Sequence, residues 1–244
     1  IQDEYQQLLD DYDERKRLRM MGLGDGIRFG IPALDAVIGG YHNGELNLLA
    51  GASSSGKSSA CVALAWHAAV MQGKNVVFST TETLRPQIIR KLIARHSKME
   101  QFGIPEGLNT RNLKDGTLSE TEEIKRRDVV QDLTRNTAYG KIYVMQVPRG
   151  GSLATIESKM THINASMFQV DLGIIDSLNL LKPGIKRMSE REEFSYILRE
   201  AKSFAATFDD GRGLPVISPW QTNRSGQTLA SKSGAYKTDA LSDT

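Results

Sequence analysis

A single cysteine, Cys61, is the only thiol in this 244-residue chain, so no internal disulfide can form, and the usage suits the reducing conditions of a cytoplasm. An excess of one charge is lacking too. The 31 Lys and Arg against 29 Asp and Glu leave a net charge of +2, so any nucleic-acid contact must come from where the basic residues lie and not from their sum. No apolar run nears the roughly 20 residues of a membrane span, and no secretory signal opens the chain. The first residue is Ile1 and not Met, so a fragment or a chain with missing ends is expected. What remains, 39% hydrophobic and 25% charged, is the composition of an ordinary soluble globular protein with room for one large or two small domains.

The opening "IQDEYQQLLDDYDERKRLRMM" places Ile1, Tyr5, Leu8, Leu9 and Tyr12 on one helical stripe, and residues 1–21 are expected to form an amphipathic linker helix. Such a stripe requires a partner surface. After a glycine-dense stretch of loop and short helix, strands alternate with helices, the pattern of an α/β fold with a mostly parallel central sheet covered on both faces. The expected strands are 46–50, 75–80, 141–146, 171–176 and 214–218, nearly all apolar and therefore buried on both faces. The expected helices are 57–72, 84–98, 119–136, 152–165 and 189–208, with 99–118 as a connection. Ser119 and Glu122 are spaced as a capping box for the third of these.

"GASSSGKSS" supplies the chemistry. Gly51-x-x-x-x-Gly56-Lys57-Ser58 between an apolar strand and an apolar-periodic helix is the phosphate-binding P-loop pattern. Its backbone over Gly51, Ala52, Ser53, Ser54, Ser55 and Gly56, with Ser59 at the helix start, can turn N–H groups toward phosphates. Lys57 should reach the β- and γ-phosphates, and the Ser58 hydroxyl should join Mg²⁺. Asp176 ends a buried strand in "VDLGIID", where a carboxylate can support that metal, whereas Asp171 reads as a solvated strand start. Glu82, just past the second strand, stands on the sheet edge where ligands of parallel α/β sheets collect and is the candidate base for water.

The order of these features, with the text between them, resembles the RecA-like ATPase domain of DnaB-type hexameric replicative helicases over residues 25–244. "GIRFGIPALDAVIGGYHNGELNLLAG" is similar to that family's entry, "VVFSTTETLRPQIIRKL" to its second strand and catalytic Glu (Glu82, with Arg90), and "LKDGTLSETEE" to its leucine–glycine–leucine connection. "LGIIDSLNLL" is similar to its Walker B strand and "LPVISPWQTNR" to its sensor strand, matching Gln221. The resemblance implies a motor domain over 22–244 that hydrolyses ATP with Mg²⁺ as a homo-oligomer, a hexamer, moving 5′–3′ on single-stranded DNA, with primase and a helicase loader as partners. It also places the arginine finger and the last strands past the end of this sequence. Trp220 stands where the family usually has serine, the mark of a divergent member of the kind a phage encodes. Recombination and clock ATPases of the RadA and KaiC kind share the loop and fold, and would act in recombination or as scaffolds without unwinding; the 111–123 connection favours the helicase. A nucleotide-binding interaction module is the third reading.

In such a ring the loops after the Walker B and sensor strands would face the channel. The first carries Lys182, Lys186, Arg187 and Arg191, and the second Arg224, Lys232 and Lys237, on glycine-containing text that suits phosphate-backbone contact. Tyr236 alone offers a stacking surface there, so backbone tracking is expected over base stacking. Cys61 and Trp66 read as helix packing, Trp220 as packing for the sensor loop, and His42, His67, His96 and His162 lack metal-ligand spacing.

Overall fold

Strands of uniform apolar text fold only where both faces are covered, and this sheet meets that demand. The computed structural model describes residues 5–20, 26–183 and 189–222. Strands β1 (Leu46–Gly51), β2 (Val76–Thr80), β3 (Ile142–Gln146), β4 (Leu172–Asp176) and β5 (Val216–Gln221) form one parallel sheet in the order β1-β5-β4-β2-β3. Adjacent residues take opposite faces. Val76, Phe78, Val144, Leu172, Ile174 and Ile217 pack on one side, with Cys61, Ala65 and Trp66 of α3 (Lys57–Trp66) and Ile88 and Leu92 of α4 (Arg85–His96). Val77, Met145, Ile175, Val216 and Trp220 pack on the other, against α7 (Leu153–Ser166) and α8 (Glu190–Thr207). At about 25 cal/mol per Å² of apolar surface removed from water, these two layers are the main stabilising term.

The remaining helices are α1 (Tyr5–Met20), α2 (Pro32–Ile38), α5 (Thr110–Asp115) and α6 (Glu120–Arg135). The capping box expected at Ser119 and Glu122 is present, and Ser189 with Glu192 repeats it at α8. Three expectations need correction. Residues 57–72 are not one α-helix: His67–Met71 widen into a π turn. The 99–118 connection holds a helix of its own, α5, capped by Asn109, whose side chain accepts from Arg111 and Asn112 N–H groups. The third correction concerns the last strand, which runs past Pro219 to Gln221. A proline removes a ladder donor, and here it costs none: β4 pairs with β5 only through Val216 and Ile217, while β1 stays paired to its end. Where the β4 ladder stops, the Ser218 hydroxyl takes over, donating to the Ile175 carbonyl (2.8 Å) and accepting from Leu178 N–H (3.1 Å).

Trp220 is buried and meets the Phe194 ring edge-on at 5.7 Å, which fixes α8 against the sheet. Replacing it by the family's serine should destabilise the fold by about 3–5 kcal/mol, the usual cost of emptying so large a site. Chemical denaturation of Trp220→Ser checks this, and a loss below about 1 kcal/mol would show the site to be loosely packed.

His96 ties α3, α4 and α6 together. Trp66 Nε1 donates to its Nδ1 at 3.1 Å, and because indole can only donate, the ring proton lies on Nε2, facing Asp132 Oδ2 at 2.8 Å. Asp132 also accepts from Tyr139 Oη, Asn136 and Gln101. Burial pushes the imidazole below the ordinary histidine range, against the raising effect of Asp132. A lowered folded-state value means stability that is full above pH ~6.5 and declines as pH falls through the folded-state value. The denaturation midpoint should therefore drop between pH ~7 and ~5, and His96→Gln should flatten part of that slope, His67 contributing with the same sign. A wild-type midpoint independent of pH would contradict the assignment.

Candidate nucleotide site

The parallel register brings the C-terminal ends of the strands into one row. Gly51 of β1 pairs with Gln221 of β5, and Thr80 of β2 pairs with Asp176 of β4. The loops leaving these ends line a cleft of about 680 Å³, which holds Ser53 to Ser59, Glu82, Asp176 and Gln221. All the residues read from sequence as the phosphate, metal and water machinery, apart from Gly51 and Ala52 at the root of the loop, line it directly.

The P-loop needs glycine where its chain turns. Gly56 has a φ of +86 and caps α3, a conformation a side chain adopts only with strain, while a Cβ on Gly51 would press on Ser55 Oγ at 2.9 Å. The Lys57 ammonium donates to the carbonyls of Gly51 (3.0 Å) and Ala52 (2.5 Å), which holds it over the loop. Burial lowers its proton affinity, and the charges of Glu82 and Asp176 oppose that. Opposite, Ser58 Oγ donates to Asp176 Oδ1 at 3.2 Å.

Asp176 is only 1% exposed. Burial pushes its carboxyl above the usual range, with Glu82 adding to the rise and the Ser58 hydrogen bond, Lys91 and Lys57 opposing it. Its Oδ2 is buried without a hydrogen-bond partner, an acceptor suited to a metal ion or a water in its shell. Among the described residues no cluster of three or more His, Cys, Asp or Glu could hold a metal alone, so Mg²⁺ here would share the Ser58 and Asp176 oxygens with the phosphates.

Two threonines fix the acids. The Thr81 hydroxyl accepts from Ser177 N–H (3.1 Å) and donates to the Asp176 carbonyl (3.1 Å), which also takes Thr81 N–H at 2.7 Å. The Thr80 hydroxyl closes the bend around Glu82, donating to the Thr83 carbonyl at 2.7 Å and accepting from Thr83 N–H. Glu82 itself is exposed in the cleft.

Sequence reasoning misses several lining residues, among them Gln87, Lys91, Arg149 and Asn179. Gln87 and Lys91 are one turn apart on α4 and face the cleft, Lys91 Nζ donating to Ser59 Oγ at 3.1 Å; Arg90, the arginine matched by resemblance, is not among the lining residues. Their i, i+4 spacing after Glu82 is the available signal. Arg149 and Asn179 line it from loops that only the fold brings there. Of the basic residues expected to face a channel, Lys182 is paired with Glu193 at 2.7 Å and Arg191 is exposed in the first turn of α8. Lys186, Arg187, Arg224, Lys232, Lys237 and Tyr236 lie outside the described residues.

A parallel sheet with a P-loop after β1, a buried acid ending β4 and a polar-tipped strand inserted between them defines a RecA-like P-loop NTPase domain. Residues 26–236 match the DnaB-like helicase C terminal domain, and the chain belongs to that family. It is 24% identical over 221 residues to the replicative DNA helicase DnaB of Treponema pallidum, covering 88% of this chain and 46% of that protein. Among solved structures it superposes on the ATPase domain of G40P with a TM-score of 0.78 at 20% identity, covering 98% of this chain and 77% of that one. A second, from the structure of a DnaB-like replicative helicase and its interactions with primase, gives 0.71 at 20% identity over 93% and 49%. The chain spans less than half the length of such curated relatives.

Thr81→Val should strand Ser177 N–H in a buried place, costing about 1–3 kcal/mol, and should lower nucleotide turnover by letting Asp176 drift. Urea unfolding and a steady-state ATPase assay on the same variant check both halves; unchanged stability with unchanged turnover would remove the clamp from the mechanism.

Proposed function

We propose that this domain is the motor of a replicative DNA helicase, which hydrolyses ATP between subunits of a ring and moves 5′–3′ along single-stranded DNA. The observation that supports it best is the gathering of Lys57, Ser58, Asp176, Glu82 and Gln221 on one cleft in a chain of the DnaB-like helicase family. The same family match favours this reading over a recombination or clock ATPase.

In this mechanism the P-loop N–H groups and Lys57 bind the phosphates, and Lys57 leaves the carbonyls of Gly51 and Ala52 to do so. Ser58 and Asp176 would hold Mg²⁺, which when bound neutralises charge developing on the phosphates. Glu82 orients and polarises the attacking water, a role open to an exposed carboxylate on a bend closed by Thr80. Gln221 ends the strand between the P-loop strand and the Asp176 strand, so a contact it makes with the terminal phosphate reaches the residues after β5. Lys182, Lys186, Arg187, Arg191, Arg224 and Lys232 supply the DNA contacts, and Lys182 would exchange Glu193 for a DNA phosphate.

Helix α1 is the linker, and its exposed Tyr5, Leu9 and Tyr12 meet a neighbouring subunit; Ile1 and the Leu8 side chain lie outside the described residues. Primase and a loader are the partners, and no helix among the described residues is long and apolar enough to cross a membrane. The site of action is the cytoplasm.

The full-length protein should hydrolyse ATP faster with single-stranded DNA, and the stimulation should fall steeply from about 50 to 200 mM salt as counterion release weakens. Glu82→Gln should abolish turnover while ATP still binds. A rate indifferent to DNA at both salts would reject the motor reading.

A further inference from the structure

Arg149 is an exposed cation on the wall of the nucleotide cleft, on a loop that no motif covers. Lys57 and Lys91, the other cations there, donate to groups beside the P-loop, whereas the Arg149 guanidinium makes no hydrogen bond or ion pair with any described residue. Its loop is nonetheless well built. Gly151 N–H donates to the Pro148 carbonyl at 2.9 Å and Gly150 has a φ of +78, the geometry of a type II turn with Arg149 at its first corner. A Cβ on Gly151 would meet Val147 Cγ1 at 2.8 Å, so the turn admits no larger residue there without a shift.

This turn is bonded to the segment after Asp176. Gly150 N–H donates to the Leu180 carbonyl (3.3 Å) and Lys182 N–H to the Gly151 carbonyl (3.1 Å). Leu180 and Asn179 line the cleft themselves, and Lys182 is the first of the cations assigned to DNA. The sheet order decides which part of a nucleotide Arg149 can meet. Its loop comes after β3, the strand farthest from the P-loop strand, with Asp176 and Glu82 between. A P-loop holds the α- and β-phosphates, so only the terminal phosphate extends toward that side.

We propose that Arg149 binds the terminal phosphate of ATP from the same chain and passes that contact through the 148–151 turn to the Leu180–Lys182 segment. It is a binding and positioning residue, a second reporter beside Gln221, and the inference rests on the nucleotide-motor reading above. A guanidinium suits the task because its planar fork can take two phosphate oxygens at once. When the terminal phosphate leaves, Arg149 loses its partner, and Lys182 is released to Glu193.

The test uses the full-length protein with ATPγS and ADP competing against a fluorescent nucleotide, plus DNA-stimulated turnover. Arg149→Ala should weaken ATPγS binding roughly tenfold or more, leave ADP within about twofold, and reduce the stimulation by single-stranded DNA; Arg149→Lys should restore part of each. Equal affinities of the variant and wild type for both nucleotides, or equal weakening of both, overturns the proposal. Lys57→Ala separates the two failures. If wild type binds ATPγS and Lys57→Ala does not, an unaltered Arg149→Ala rejects Arg149 alone; if wild type binds neither nucleotide, the site reading falls and this inference with it.

Discussion

A carboxylate buried to 1% exposure at the end of a strand is the constraint around which this end of the molecule is arranged. An ion there is tolerated only near cations and donors, since burial alone favours its neutral form. That support comes from two helices: α3 brings the Ser58 hydroxyl and the charge of Lys57, and α4 brings the charge of Lys91. Its backbone is pinned by a third element, through Thr81 at the end of β2. None of these can move without raising the cost of the charge. The phosphate loop, the bend that carries Glu82 and the buried Asp176 are therefore one electrostatic unit.

The strand inserted between β1 and β4 joins that unit to the segment beyond Gln221. β5 is paired to β1 along its length but to β4 for only two residues, and Ser218 bridges the gap by bonding both Ile175 and Leu178. Pro219 fits because the ladder toward β4 has already ended. The consequence is a strand tip, Gln221, that is held by the P-loop strand and not by the Asp176 strand. A change at the phosphate can thus shift it without unzipping the sheet's centre.

Much of this is legible in the sequence. Strands buried on both faces are readable because burial leaves a continuous apolar signature, and the P-loop is readable because its glycines are forced by backbone geometry. The limits have physical causes as well. The end of β5 is misplaced from sequence because a proline in a central strand argues against continuation, and only the pairing pattern reveals that its missing donor faces no partner. Gln87, Lys91, Arg149 and Asn179 escape a linear reading because the cleft is assembled from five strand ends. Arg149 comes 67 residues after Glu82, and nothing local in its loop marks it. Resemblance favours Arg90 although its neighbour Lys91 faces the cleft, a one-residue difference that turns a helical side chain by about 100°.

The order of the strand ends also fixes where charge must be balanced. Across the sheet from β1 to β3, the tips bear Lys57, Gln221, Asp176, Glu82 and Arg149, a cation, an amide, two acids and a cation. A triphosphate laid along this row would meet attraction at its anchored end and repulsion from two carboxylates at its reacting end. A divalent ion held by Ser58 and Asp176 would remove part of that repulsion, and on the proposed mechanism Glu82 would stay free of it to act on water. A guanidinium beyond Glu82 would add attraction at the reacting end to that of Lys91, which also lines the cleft. It acts without neutralising Asp176, whose charged neighbours are Glu82, Lys91 and Lys57. On the proposed reading the two acids would keep separate roles while the outer cation is carried on a different loop, one hydrogen-bonded to the Leu180–Lys182 segment.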